Sequence, residues 1–185
     1  MKKLIYLFLA LLIVSCSSDD NNCDDTLAVG QSYQGGIIAY IDSTCQHGLI
    51  AATEDQSEGL KWFNYPITYP FETGASGAGI GTGLTNTNAI IAAQGSGTYA
   101  ASIARDYNGG GYTDWFLPSK DELNTLYVNR AAIGGFTDYS YWSSTESVTG
   151  DTREYVIAWT QYFNDGDKVL TNKAGTSPVR AVRAF

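Results

Sequence analysis

The sequence predicts an α+β fold, and three observations carry that prediction. Short β-branched and aromatic runs open the folded part of the chain, helical periods fill its middle, and strand-like runs broken by turn residues return after Gly134-Gly135. Elements segregated in this way, rather than alternating strand and helix, describe a twisted antiparallel sheet with two main helices and long loops. A chain of 185 residues is long enough for one domain with a sizeable core. It contains no internal repeat and no linker of domain scale.

The chain begins MKKLIYLFLALLIVSC, which reads as an export signal over residues 1–15. Lys2 and Lys3 supply the positive start, and the apolar run from Leu4 to Val14 supplies the hydrophobic segment. That run is shorter than the roughly 20 apolar residues a membrane-spanning helix needs. Cys16, directly after it, resembles the acylated cysteine of a bacterial lipobox, with Ile13 where Leu is commoner. The alternative is an ordinary secretory signal cut nearby. Residues 16–28 include SSDDNNCDD, a polar, acidic run with nothing to bury, which reads as a flexible tether. Its Ser18-Asp19-Asp20 resembles an outer-membrane surface-export signal. The domain proper is expected over 29–185. Cys23 and Cys45 are then an even pair in an oxidising compartment. A bridge between them would close a loop of about 20 residues, worth about 3 kcal/mol in the chain-entropy account; two free thiols are the alternative.

The elements follow in order. GGIIAYID (35–42) and HGLIAAT (47–53) flank a polar turn and predict a hairpin. LKWFNY (60–65) predicts a third short strand. GASGAGIGTG (74–83) is too rich in glycine for helix or strand and reads as a mobile surface loop. A short turn of helix is expected at 86–93. In TYAASIARDY, Tyr99, Ile103 and Tyr107 recur at four-residue spacing beside Ala100 and Ala104 and predict a helix. Ser119-Lys120-Asp121-Glu122 is a capping box that starts another, with Leu123, Leu126 and Tyr127 as its buried stripe. Pro118 requires Leu117 to be extended. YWSSTE, EYVIAWTQYF and KVLTN predict strands, the last two joined by the Asp-Gly turn of NDGD, and PVRAVRAF closes the sheet.

Charge and missing motifs exclude several functions. The formal net charge is -8, and removal of Lys2 and Lys3 with the signal takes it to -10. Such acidity excludes nucleic acid and heparin-like polymers as partners, since both require basic patches. Ser143 and Ser144 lack a nucleophile elbow, and His47, the only histidine, sits in the hairpin turn, so the hydroxyls read as scaffold. The glycine stretch lacks the Gly-Lys-Ser/Thr ending of a phosphate loop. Asp106, Asn108 and Asp114 around three glycines are candidates for Ca2+; otherwise no cofactor is expected. Asp114 reads more simply as a turn residue or an arginine partner.

GGYTDWFLPSKDELNTLY, then YWSSTE, AWTQYFNDG and VRAVR, resemble the Lcl C-terminal-domain family, named after a collagen-like adhesin of Legionella. The resemblance spans roughly Val29 to Phe185. It implies a C-type-lectin-like scaffold and a role in attachment, without the basic cluster or collagen-like stalk of that adhesin. The expected function is a lipid-anchored, non-catalytic outer-membrane surface protein that binds an extracellular glycan or protein. Rival readings are an enzyme on the same scaffold and a structural subunit of a surface assembly. The resemblance also implies that the ligand meets long loops gathered at one end of the late sheet, Gly134–Tyr139, Val148–Arg153, Asn164–Asp167 and Lys173–Ser177. The residues expected to bind it are Tyr139, Asp151, Arg153, Asn164, Asp167 and Lys173.

Overall fold

The computed structural model describes residues 27–64, 72–147 and 157–185. The signal, Cys16 and Cys23 lie outside the described residues, as do Asp151 and Arg153. The chain forms α+β architecture with antiparallel pairing throughout the described sheets. β1 (Ser32–Tyr33), β2 (Gly36–Ile41) and β3 (Gly48–Ala51) form a meander, closed by the last strand, β9 (Val182–Ala184), in the order β1-β2-β3-β9. β4 (Ser57–Lys61) pairs with β8 (Thr176–Val179). β5 (Ser140–Glu146), β6 (Ile157–Tyr162) and β7 (Lys168–Asn172) form a second meander. The first hairpin and the Asp-Gly turn are therefore where the sequence puts them.

Two elements differ from expectation. The third strand lies earlier, at β4, and Trp62 and Phe63 leave it to enter the core. α1 (Gly83–Gln94) is a full helix of 12 residues, not a short turn. Its buried positions include Asn86, Thr87 and Gln94, so its inward face is partly polar and shows no clear hydrophobic period. Thr87 earns its burial through Leu117, whose N–H donates to its hydroxyl at 3.1 Å. α2 (Ala100–Asp106) buries Ala100, Ala101 and Ala104. α3 (Lys120–Val128) is followed at once by α4 (Arg130–Ile133), which sequence periodicity does not reveal.

The capping box of α3 forms in full. Glu122 accepts from the Ser119 N–H at 2.7 Å, and Ser119 accepts from the Glu122 N–H at 3.3 Å. The Ser119 hydroxyl also donates to Gly79 O at 2.9 Å. Ser119→Ala should therefore destabilise the protein by about 1–2 kcal/mol in chemical denaturation; a loss below about 0.5 kcal/mol would count against this reading of the cap. Phe116 exchanges both backbone hydrogen bonds with Val182, which ties the entry of α3 to β9.

Two clusters make the core. One surrounds Trp62, Trp115 and Trp142; the other gathers Phe116, Leu123, Leu126, Tyr141 and Phe163. Each indole N–H of the first cluster finds a carbonyl: Trp62 to Ser143 O at 2.8 Å, Trp142 to Leu60 O at 2.7 Å and Trp115 to Gly109 O at 3.3 Å. Rings this large contribute most of the apolar burial, and these bonds remove the cost of burying their polar edge.

Candidate functional site

The hydroxyl-rich β5 is an internal staple. Ser143 donates to Trp159 O at 2.8 Å, Thr145 donates to Gly77 O at 2.8 Å, and Ser144 accepts from the Asn86 amide at 3.3 Å. All three residues are buried. Glu146, also buried, accepts from the N–H groups of Thr73 and Ala75 at 2.8 and 3.0 Å through one oxygen. Its other oxygen lies 2.6 Å from Lys173 Nζ. Glu122 accepts from Gly81 N–H at 2.7 Å, and Asn86 bonds both the N–H and the C=O of Gly77. Burial pushes the Glu122 carboxyl above its ordinary range, against the opposing pull of N–H donors from Ser119, Gly81 and Gly83.

These contacts correct two expectations. The Gly74–Gly83 stretch, read as a mobile surface loop, is stitched down by Ser119, Glu122, Thr145, Glu146 and Asn86. Lys173, expected to meet a ligand, is fully buried. Its ammonium pairs with Glu146 and lies 4.3 Å from the centre of the Trp62 ring. A cation at a strand end reads as exposed in sequence, but a buried carboxylate draws it inside.

The calcium candidates do not act together in the structure. Asp114 holds Arg183 with both oxygens, at 2.8 Å each, while Asp106 and Asn108 line an open groove with Glu54, Asp55 and Gln56. Among the described residues no group of three His, Cys, Asp or Glu side chains is placed to hold a metal. Hydrogen bonds from Arg183 keep the Asp114 carboxyl below its ordinary 3.8. A depressed carboxylate contributes stability above its unfolded pKa and loses it as pH falls through the folded value. Asp114→Asn should thus flatten the acid arm of the stability–pH curve below about pH 4. The effect at neutral pH should be small, because the carboxylate side chain is 54% exposed and water screens the pair. An unchanged acid slope would refute the assignment.

Of the four loops expected to form one site, Val148–Arg153 lies outside the described residues, and the other three occur at two opposite ends of the β5-β6-β7 meander. In an antiparallel meander successive connections must alternate ends. Ser140 pairs with Tyr162 and Gln161 with Lys168, which puts the 134–139 and 163–167 segments together. Phe163 N–H donates to Tyr139 O at 3.1 Å. Glu146, Ile157 and Asn172 mark the other end, where Lys173 lies. Tyr139, Asn164 and Asp167 are thus neighbours, and all are exposed, Tyr139 by 67%. Asp167 accepts from Tyr162 N–H through its backbone, and its own N–H donates to Asp165.

At this first end lies a cleft of about 370 Å3, lined by Arg130, Gly134, Gly135, Phe136, Thr137, Asp138 and Phe163, among others. Its aromatic wall is continuous with the core: Phe136 and Phe163 have ring centres 4.6 Å apart, and Tyr141 lies 4.5 Å from Phe163. The loop is held from beneath by Arg180, which is fully buried. Arg180 donates to Gly134 O at 3.3 Å and Gly135 O at 2.5 Å, and its guanidinium lies 4.1 Å from the Phe136 ring centre. Gly134 and Gly135 both have positive φ, 77° and 72°, a geometry that requires glycine. The sequence reading named the Gly134–Tyr139 loop but singled out neither Phe136, Thr137 and Asp138 within it nor Phe163 and Arg180 beside it. The available signal was Arg180 itself, a charge inside the otherwise apolar PVRAV. His47 is exposed on the β2–β3 turn, and Cys45 in the same turn, at φ 60°, is not free.

No curated protein matches this chain. The Lcl C-terminal domain family matches residues 51–183, and so covers every element from the end of β3 to β9. The hairpin before it is completed by the family segment itself, because β9 pairs with β3. With most of its length matched, the chain belongs to the Lcl C-terminal domain family.

Proposed function

We propose that this protein is a non-catalytic, lipid-anchored module at the outer-membrane surface that binds an extracellular ligand in the cleft between Gly134–Asp138 and Phe163. The observation that carries the reading is that cleft, which is apolar at its base and polar at Thr137 and Asp138, with exposed Tyr139 following in the chain. Aromatic walls with a few convergent polar groups suit a sugar ring, which offers apolar C–H faces and hydroxyls together. Membership of an adhesin-named family supports attachment as the role. A neutral glycan suits the site better than a sulfated one, because both arginines there are committed. Arg130 donates to Tyr127 O at 2.8 Å and stacks on that ring, and Arg180 holds Asp55.

The anchor is proposed at Cys16, with a Cys23–Cys45 bridge joining the tether to the β2–β3 turn. That turn is remote from the cleft. Gly135 lies beside Thr53 O, and the six residue steps from His47 to Thr53 span about 20 Å of extended chain. A domain held by that turn would present the cleft away from the membrane. Binding is proposed to need no metal, and the engaged hydroxyls of Ser143 and Ser144 favour binding over catalysis.

The test is a panel of immobilised neutral and sulfated glycans, probed with and without a calcium chelator. At least one neutral glycan should retain the protein with or without chelator. The variant carrying Asp138→Ala and Tyr139→Ala should lose at least about tenfold in affinity, with stability within about 0.5 kcal/mol of the parent, since both residues are exposed. Full binding by that variant would refute the cleft assignment.

A further inference from the structure

A second cleft, of about 400 Å3, opens at the β2–β3 turn and shares no lining residue with the first. Tyr40, Leu49, Ile80 and Phe185 give it apolar and aromatic walls, and Asp42 and His47 are its ionisable side chains. No Lys or Arg lines it. The walls are held in place. The Phe185 ring packs where a side chain on Gly48 would stand, and Tyr33 meets it edge-on at 5.4 Å. Ile80, which is 48% exposed, rides on the glycine-rich loop beside Gly81, whose N–H is fixed by Glu122. Open space lies over Gly81, where an added side chain would meet nothing within 4 Å.

The charge in this cleft is fixed too. Asp42 accepts from the Thr44 hydroxyl at 2.7 Å and the Thr44 N–H at 3.1 Å through one oxygen. The Thr44 hydroxyl is the main influence holding that carboxyl below its ordinary range. A lasting negative charge beside the rings of Tyr40 and Phe185 selects one kind of guest. An anion is repelled by the carboxylate, and a neutral apolar group leaves it uncompensated. A cation carrying apolar groups satisfies both, because ring faces attract positive charge and the carboxylate supplies the counter-ion. The volume is ample for such a group.

We propose that this cleft binds a small alkylammonium cation, a quaternary or protonated amine bearing methyl or methylene groups. The site is independent of the glycan cleft. The test titrates full-length protein with choline, tetramethylammonium and the uncharged choline isostere 3,3-dimethylbutan-1-ol, following binding by calorimetry and by ring resonances of Tyr40 and Phe185. Choline should bind saturably and at least about tenfold more tightly than the isostere. Asp42→Asn keeps an acceptor for Thr44 but removes the charge, and should abolish that preference. Phe185→Leu should weaken both cations, and Tyr139→Ala should leave them unchanged. Equal binding of the isostere, absence of saturable cation binding, or an unaltered preference in Asp42→Asn would each overturn the proposal.

Discussion

Glu146→Ala should destabilise the protein by about 3–5 kcal/mol, a large part of the total stability of a domain this size. The expectation rests on what the carboxylate leaves behind. Lys173 Nζ, 2.6 Å away and with its side chain fully buried, would lose its principal counter-charge. The N–H groups of Thr73 and Ala75 would lose their acceptor, and so would the Thr73 hydroxyl. Burial already holds the Lys173 amine below its ordinary range, and Glu146 is the principal influence opposing that shift. Removing both charges is a different experiment. Glu146→Leu with Lys173→Met gives up the pair together, and should cost clearly less than Glu146→Ala because the ammonium is no longer left buried without its principal counter-charge. Urea denaturation of the parent, the single variant and the double variant measures the contrast. A single-variant loss below about 1 kcal/mol would show that the pair is not an internal pin.

That pair also shows what a sequence withholds. Glu146 and Lys173 are each unremarkable locally, one at the end of a strand and the other after one. Only the fold brings them together, under Trp62. Local signals fared better. The Ser119–Glu122 box and the turn before β7 depend on neighbours within a few residues, and each occurs as the sequence implies. α1 was legible only in part, because Asn86 and Thr87 face inward and disguise its period.

The candidate site followed the same division. Tyr139, Asn164 and Asp167 are neighbours, because both their segments belong to one end of the β5-β6-β7 meander. Adding the Lys173–Ser177 segment to that end broke the alternation rule for antiparallel strands, a rule the sequence order already contained. The cleft itself was hidden for another reason. Its aromatic wall comes from Phe136 and Phe163, 27 positions apart; Phe136 lies in the Gly134–Tyr139 loop already singled out, but only the fold brings Phe163 against it.

Arg180→Lys should cost about 3 kcal/mol in stability and reduce ligand binding by at least about tenfold, although it preserves the charge. The guanidinium serves four groups from one buried position. Nε donates to Asp55 at 2.6 Å, Nη1 to Ala52 O at 3.0 Å and Gly134 O at 3.3 Å, and Nη2 to Gly135 O at 2.5 Å. Its plane also covers the Phe136 ring. A lysine ammonium is a point donor on a flexible stem and cannot reproduce this planar fork. If it stays with Asp55, the carbonyls of Gly134 and Gly135 lose their donor, at about 1–3 kcal/mol for each buried group left unpaired. Those carbonyls set the height of the loop that carries Phe136, Thr137 and Asp138. The loss of stability and the loss of binding therefore have one cause. Amide hydrogen exchange separates this account from general weakening of the fold. Exchange should accelerate at Phe136, Thr137 and Asp138 well beyond the change at β2 and β3, where Arg180 makes no bond. Uniform acceleration across both regions, or a stability loss below about 1 kcal/mol, would mean that Arg180 does not position the cleft.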